Sequence, residues 1–158
     1  MNRLPFYKGT SLAGWAIVDE EDYDELIVFL WRAHSNTGYV CRHAEGTTVL
    51  MHRQILGLQP GDGIESDHIN GNRLDNRRQN LRPGSRAENM QNVPSRPGSS
   101  RFRGVYRHRD KWVAQAKVAQ VHHYLGIFAT EEEAGRVAAA FRAEHLPFSN
   151  PDRQEIAA

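Results

Sequence analysis

Residues 93–100, Val-Pro-Ser-Arg-Pro-Gly-Ser-Ser, constrain the fold of this chain more than any other stretch. Two prolines, a glycine and three serines in eight residues can extend neither a helix nor a central strand, because proline lacks the amide hydrogen that both require. They make the best domain boundary in a chain of 158 residues, which is long enough for two small cores. The expected organisation is 1–92, a linker over 93–99, and a second domain over 100–150.

Charge follows the same division. Residues 1–64 carry five Lys/Arg against eight Asp/Glu, a net −3, whereas residues 68–117 carry twelve against three, a net +9. A middle rich in Arg, interleaved with Asn, Gln and aromatic residues, suits phosphate contacts and base-edge readout, and equally suits a solvated basic face. The single cysteine, Cys41, rules out an intramolecular disulfide and a Cys-rich zinc site, and reads as a packing residue. No run of 18 apolar residues occurs, and the opening MNRLPFYKGTS lacks the apolar stretch of a secretion signal. The expectation is a cytoplasmic protein with no membrane partner and no obligate protein partner.

Local patterning gives an α+β chain. In the first fifty residues GWAIVD reads as a strand, DEEDYDELIVFL as an acidic-capped helix or turn, and GYVCRH with TTVLMH as a hairpin about Ala44-Glu45-Gly46. This lead-in carries no obvious chemistry. VLMHRQILGL runs from strand into a helix that stops at Gly57. There follow a strand IESDHI, a polar loop NGNRLDNRRQ, an extended NLRP, and a helix SRAENMQN whose N-cap is Ser85 with Glu88 three residues on. Beyond the linker, FRGVYRHRDKWVAQAKVAQVHHYLGIFAT alternates in three bursts separated near Arg109-Asp110 and Ala119-Gln120. Thr130 then caps the Ala-rich helix EEEAGRVAAAFRAEH. Three antiparallel strands and one helix are expected there.

The ordered set Asp67-His68-Ile69-Asn70-Gly71-Asn72, Asp75-Asn76-Arg77 and Asn80-Leu81 resembles the HNH endonuclease family over residues 49–92, whose reaction, phosphodiester hydrolysis, needs a water activated near neutral pH, a cation to neutralise developing charge, and a frame that holds both in line. His68 can supply the base, since an imidazole titrates near pH ~6.5. Asp67, on the opposite side of an extended backbone, reads as a hard oxygen ligand for Mg²⁺ or Mn²⁺, joined by the side-chain oxygen of Asn89. The resemblance implies a ββα-metal core in which His68 is the general base, Asn80 orients it or braces the strands, and Asp67 with Asn89 holds one ion. Asn89 and Asn92 both stand where the third family residue, often histidine, would lie; Asn89, one turn past the Ser85 cap, is preferred. An asparagine there favours magnesium over zinc. His52 sits where this subgroup usually carries a histidine, with a packing or phosphate-contact role as open as a catalytic one.

In the C-terminal part, Arg103-Gly104-Val105, Trp112-Val113-Ala114 and Tyr124-Leu125-Gly126-Ile127-Phe128 arrive in an order similar to the APETALA/ethylene-response-factor DNA-binding domain. That resemblance implies a three-stranded sheet lying in a major groove about 12 Å wide. Arg103, Gln115 and Lys117 become candidates for base edges, Arg101, Arg107, Arg109 and Lys111 for phosphates, and Trp112 and Tyr124 for packing on sugars. Gly104 permits close backbone approach. Val113, Leu125, Phe128, Ala138 and Phe141 are expected in a core. Two positions depart from the pattern: His122-His123 occupy a turn that is usually basic or polar, and Gly135 replaces a helix-favouring residue at a cost of up to ~1 kcal/mol relative to Ala.

The expectation drawn from the sequence is a site-directed, metal-dependent DNA endonuclease of the free-standing or intron-borne homing type found in phages and bacteria, nicking or cutting duplex DNA. Its rivals are a DNA-binding protein with an inert HNH scaffold and a nuclease acting on RNA or structured junctions.

Overall fold

The structure, a computed structural model, describes residues 2–92 and 99–150. Except for Ser99, the expected linker lies outside them. The chain forms two compact units, one over residues 1–89 and one over 90–158. Among the described residues the class is mixed α+β, with three sheets and short helices in addition to one of 15 residues.

In the first unit, five strands order as β2-β1-β3-β4-β5: β1 (Asn2–Lys8), β2 (Ser11–Val18), β3 (Arg32–Ala33), β4 (Val40–Ala44) and β5 (Thr47–Leu50). All pairings are antiparallel except β1 with β3. The β4–β5 turn places Glu45 and Gly46 at φ 49° and 76°, the left-handed pair that a twisted two-residue hairpin requires. Helix α1 (Glu20–Ile27) follows β2, and α2 (Met51–Ile55) leaves β5 directly and ends before Gly57, whose φ is +67°. Leu4, Ala16, Val18, Leu26, Trp31, Val40 and Met51 form the core, and the Trp31 indole nitrogen donates to the Leu26 carbonyl at 2.8 Å. Cys41 is buried beside them, its thiol pushed up by burial.

A two-stranded antiparallel sheet, β6 (Glu65–His68) with β7 (Leu81–Gly84), then leads into α3 (Arg86–Asn89). The expected capping box is present: Ser85 Oγ accepts from the Glu88 amide at 3.3 Å, and the Glu88 carboxylate accepts from the Ser85 amide at 2.7 Å. The helix is shorter than expected, since Met90–Asn92 continue as a 3₁₀ turn.

The second unit carries a three-stranded sheet ordered β10-β9-β8, comprising β8 (Val105–His108), β9 (Lys111–Val118) and β10 (Val121–Phe128), with α4 (Glu131–His145) packed on it. Thr130 caps α4 by accepting from the Glu133 amide at 3.2 Å. Val105, Ala114, Ala134 and Ala138 form a small core, lined by Phe102, Trp112, Leu125 and Phe128. Gly135 is required by that packing: a Cβ there would fall 2.6 Å from Cγ of Phe102. Gly104, at φ +80°, lies so close to β9 that a Cβ would meet the Gln115 carbonyl oxygen at 2.2 Å. The close approach that Gly104 permits is therefore to a neighbouring strand of its own sheet.

Candidate active site

Strand alternation separates the two central residues of β6. His68 is buried and its ring stacks on Tyr39 at 5.8 Å between centroids, with His52 edge-on at 5.0 Å. Asp67 faces the other side, beside Glu65, and its carboxylate binds Arg82 directly across the strand pair at 2.8 Å. Tyr39 lies outside the motif, and Asn76, within it, has a role that the motif alone does not assign. The structure shows Asn76 at 1 % exposure, too buried for a mere turn former, and Tyr39, just before β4, in contact with both His52 and His68.

Asn76 fixes the chemistry of His68. Its amide nitrogen donates to the Arg73 carbonyl at 3.4 Å, which leaves Oδ1 facing His68 Nε2 at 3.3 Å. An amide oxygen only accepts, so Nε2 carries the hydrogen and the lone pair of the neutral imidazole lies on Nδ1. Burial holds the His68 pKa below its ordinary value, with the Asn76 bond and the charges of Asp67 and Asp75 pulling the other way. His52 is pushed down to about 3, first by burial and then by its neighbours His68 and Arg53. Both rings are neutral near pH ~7.

The loop over residues 69–80 is held from three sides. Asn80 spends both ends of its side chain on loop backbone, accepting from the Asn70 amide at 2.9 Å and donating to the Asp75 carbonyl at 2.7 Å. Asp75 is bound bidentately by Arg77, which keeps its carboxyl below the usual range. The outer edge of β2 supplies the third restraint: the Ile17 amide donates to Leu74 at 2.7 Å and its carbonyl accepts from the Asn76 amide at 2.8 Å. Helix α1 adds Asp22, which is 5 % exposed and chelates Arg78 at 2.6 and 3.0 Å. The lead-in thus positions Asn76. It also accounts for part of the central basic charge, since Arg77, Arg78 and Arg82 all bind acids of this same unit.

Asn89 sits over β6 with its Nδ2 donating to Glu65 at 3.1 Å. That bond turns Oδ1 inward, where it is buried with no hydrogen-bond partner among the described residues. An orphaned hard oxygen on the Glu65/Asp67 side of β6 fits a divalent cation of the magnesium type. Among the described residues, no three His, Cys, Asp or Glu side chains group as metal ligands. A cation here would have one carboxylate and one amide from the protein, with phosphate and water completing its shell. Asn92 is instead buried in the second unit, where its Oδ1 accepts from the Asn150 amide at 3.3 Å.

The second unit distributes its candidates over two faces. Gln115, Lys117 and Tyr124 share the sheet face away from α4, because Ala114 and Ala116 between them are buried. Register places Tyr106, His108 and His122 on that same face, a period-two signal in β8 and β10 that the motif comparison overlooked. Trp112 packs at the core instead, with the Arg107 guanidinium 6.0 Å from its ring. Arg101 pairs with Glu132 at the surface, Arg109 occupies the β8–β9 turn at φ 57°, Lys111 is exposed, and Arg103 donates to the Gln91 carbonyl.

Residues 49–91 match the family model described as HNH endonuclease. No curated protein and no solved structure matches the chain. The matched segment contains α2, β6, the clamped loop, β7 and α3, and it supports a nuclease activity on DNA.

Proposed function

We propose that this chain is a divalent-metal-dependent, site-directed DNA endonuclease of the homing type, and that residues 100–150 supply affinity and position on the duplex. The observation that carries this reading is the division at Asp67-His68 within the family match. A neutral imidazole with its lone pair on Nδ1 lies to one side of β6, and the oxygens of Asp67 and Asn89 lie to the other.

In this mechanism His68 accepts the proton of the attacking water at Nδ1 while Asn76 holds the opposite nitrogen as its hydrogen-bond donor. Asn80 keeps the loop in register. Asp67 and Asn89 are the residues that would hold Mg²⁺ or Mn²⁺, and the ion supplies charge neutralisation on the phosphate when bound. Conversion of supercoiled plasmid carrying the DNA that flanks this gene tests the reading: open-circle or linear product with Mg²⁺, and none with EDTA, is expected.

A second reading, an inert HNH scaffold attached to a DNA-binding unit, is favoured by the ion pair of Asp67 with Arg82 and by the 3 % exposure of His68. Duplex bound at nanomolar protein yet uncut under every divalent metal would establish it.

A further inference from the structure

The second unit contains a cavity of about 200 Å³ whose polar lining is Arg103, Gln115, Lys117, His122 and Arg142, with apolar contributions from Ala116 and Leu146 and, among the described residues, no acidic side chain. Its position follows from strand length. Strand β8 begins only at Val105, so β9 beyond Gln115 has an open edge, and α4 brings Arg142 to that edge. Arg142 is half-buried and donates through Nη1 to the Arg103 carbonyl at 2.6 Å, one of the five N–H groups a guanidinium carries. Burial and the like charge of Arg103 push its pKa down to about 10, so it is still a cation at neutral pH, in surroundings that disfavour the charge.

An anion at the cavity would offset the burial and the like charge that Arg142 meets there. The cavity is smaller than the ~300–1,000 Å³ of small-molecule sites, which suits one tetrahedral oxyanion better than a larger ligand. Arg, Lys and imidazole donors from three elements match the several oxygens of a phosphate.

We infer that this cavity is a phosphate site that receives one backbone phosphodiester of bound duplex DNA, with Arg142 and Lys117 as its principal cationic contacts. The inference rests on the DNA-binding reading of the second unit and changes it in one respect: Lys117, and Arg103 beside it, serve the backbone rather than base edges. His122 completes the rim. The occupied site fixes where the sheet sits along the strand without contributing sequence preference.

The test measures equilibrium binding of the full chain, in a His68→Ala background that prevents cleavage, to two unrelated duplexes across a salt series. Lys117→Gln, which removes an exposed side chain and leaves the core intact, and Arg142→Gln should each reduce the slope of log K against log salt by about 0.9. The affinity gap to the parent should then narrow roughly threefold between about 50 and 200 mM salt, equally on both duplexes. Arg142→Lys should restore most of the slope. An unchanged slope in both glutamine variants, with the parent still binding, overturns the site and spares the DNA-binding reading. A loss confined to one duplex assigns base contact and overturns it too. A parent that binds neither duplex overturns both. Inorganic phosphate alone, followed by NMR shifts of the His122 ring, should give no saturable response; saturation would mean that the cavity takes free phosphate instead.

Discussion

The Nε2 of His68 donates to the Oδ1 of Asn76 across 3.3 Å, and Asn76 is itself held by its side-chain nitrogen, which donates to the Arg73 carbonyl, and by its backbone N–H, which donates to the Ile17 carbonyl. Removing the acceptor frees the imidazole to change tautomer. Asn76→Ala should slow cleavage by about 10²-fold, the scale of lost positioning near reacting atoms. Asn76→Asp, which keeps an acceptor oxygen, should recover much of that rate. Long-range ¹⁵N–¹H spectra of the ring should show the Nε2–H form in the wild type and in Asn76→Asp, and a tautomer mixture in Asn76→Ala.

His52 predicts a pH dependence of stability. Its folded pKa of about 3 lies below the ordinary 6.5, so between those values the unfolded chain binds the extra proton and stability rises with pH. His68, with its pKa also lowered by burial, contributes in the same direction. Acidification from pH ~6.5 to ~5 should therefore cost about 2 kcal/mol and several degrees of Tm. His52→Phe should flatten that slope in a thermal melt.

The orphaned Oδ1 of Asn89 predicts metal-linked stability. Mg²⁺ or Mn²⁺ at about 100 times its Kd should stabilise the first unit by about 2.7 kcal/mol. Asp67→Asn and Asn89→Ala should each abolish the shift in calorimetry, whereas Lys117→Gln should leave it intact.

Gly135→Ala reverses the usual helix rule. Propensity alone favours alanine by up to ~1 kcal/mol, yet the new methyl would enter the Phe102 ring, with three ring atoms at 2.6 to 2.8 Å. Overpacking of this kind costs about 1–3 kcal/mol, so Tm should fall, and Phe102→Leu in the same chain should restore part of it.

Ala119 and Gln120 turn β9 into β10 with φ of 47° and 69° and no glycine. Asn-Gly at these two positions adopts that conformation with less strain. Chemical denaturation should show a gain of about 1 kcal/mol.

Elements with strong local signals were legible in the sequence. The Glu45-Gly46 hairpin, the Ser85/Glu88 capping box, the Thr130 cap and the three alternating strands with their helix each depend on residues close in the chain. Long-range partners were not. Nothing in the spacing of Asp22, Ile17 and Tyr39 connects them to His68 and the loop after it, because sheet order and edge bonds decide those contacts. By charge alone the central basic run suits phosphate contacts and a solvated face equally, but Arg78 and Arg82 lie opposite acids that only the fold brings to them, and Arg77 binds the nearby Asp75. At Gly135 the propensity reading saw a cost where packing needs the missing methyl.

The central claim is that His68 is the base of a DNA-cleaving site. Its most direct test is the rate of supercoiled-plasmid cleavage under single-turnover conditions for wild type and His68→Ala, each with Mg²⁺, Mn²⁺ or EDTA, after melts confirm that both are folded. The account predicts metal-dependent cleavage by the wild type and a loss of at least ~10²-fold in the variant, with duplex affinity unchanged. Equal rates for the two proteins, or duplex bound and left intact by the wild type with either metal, would contradict it.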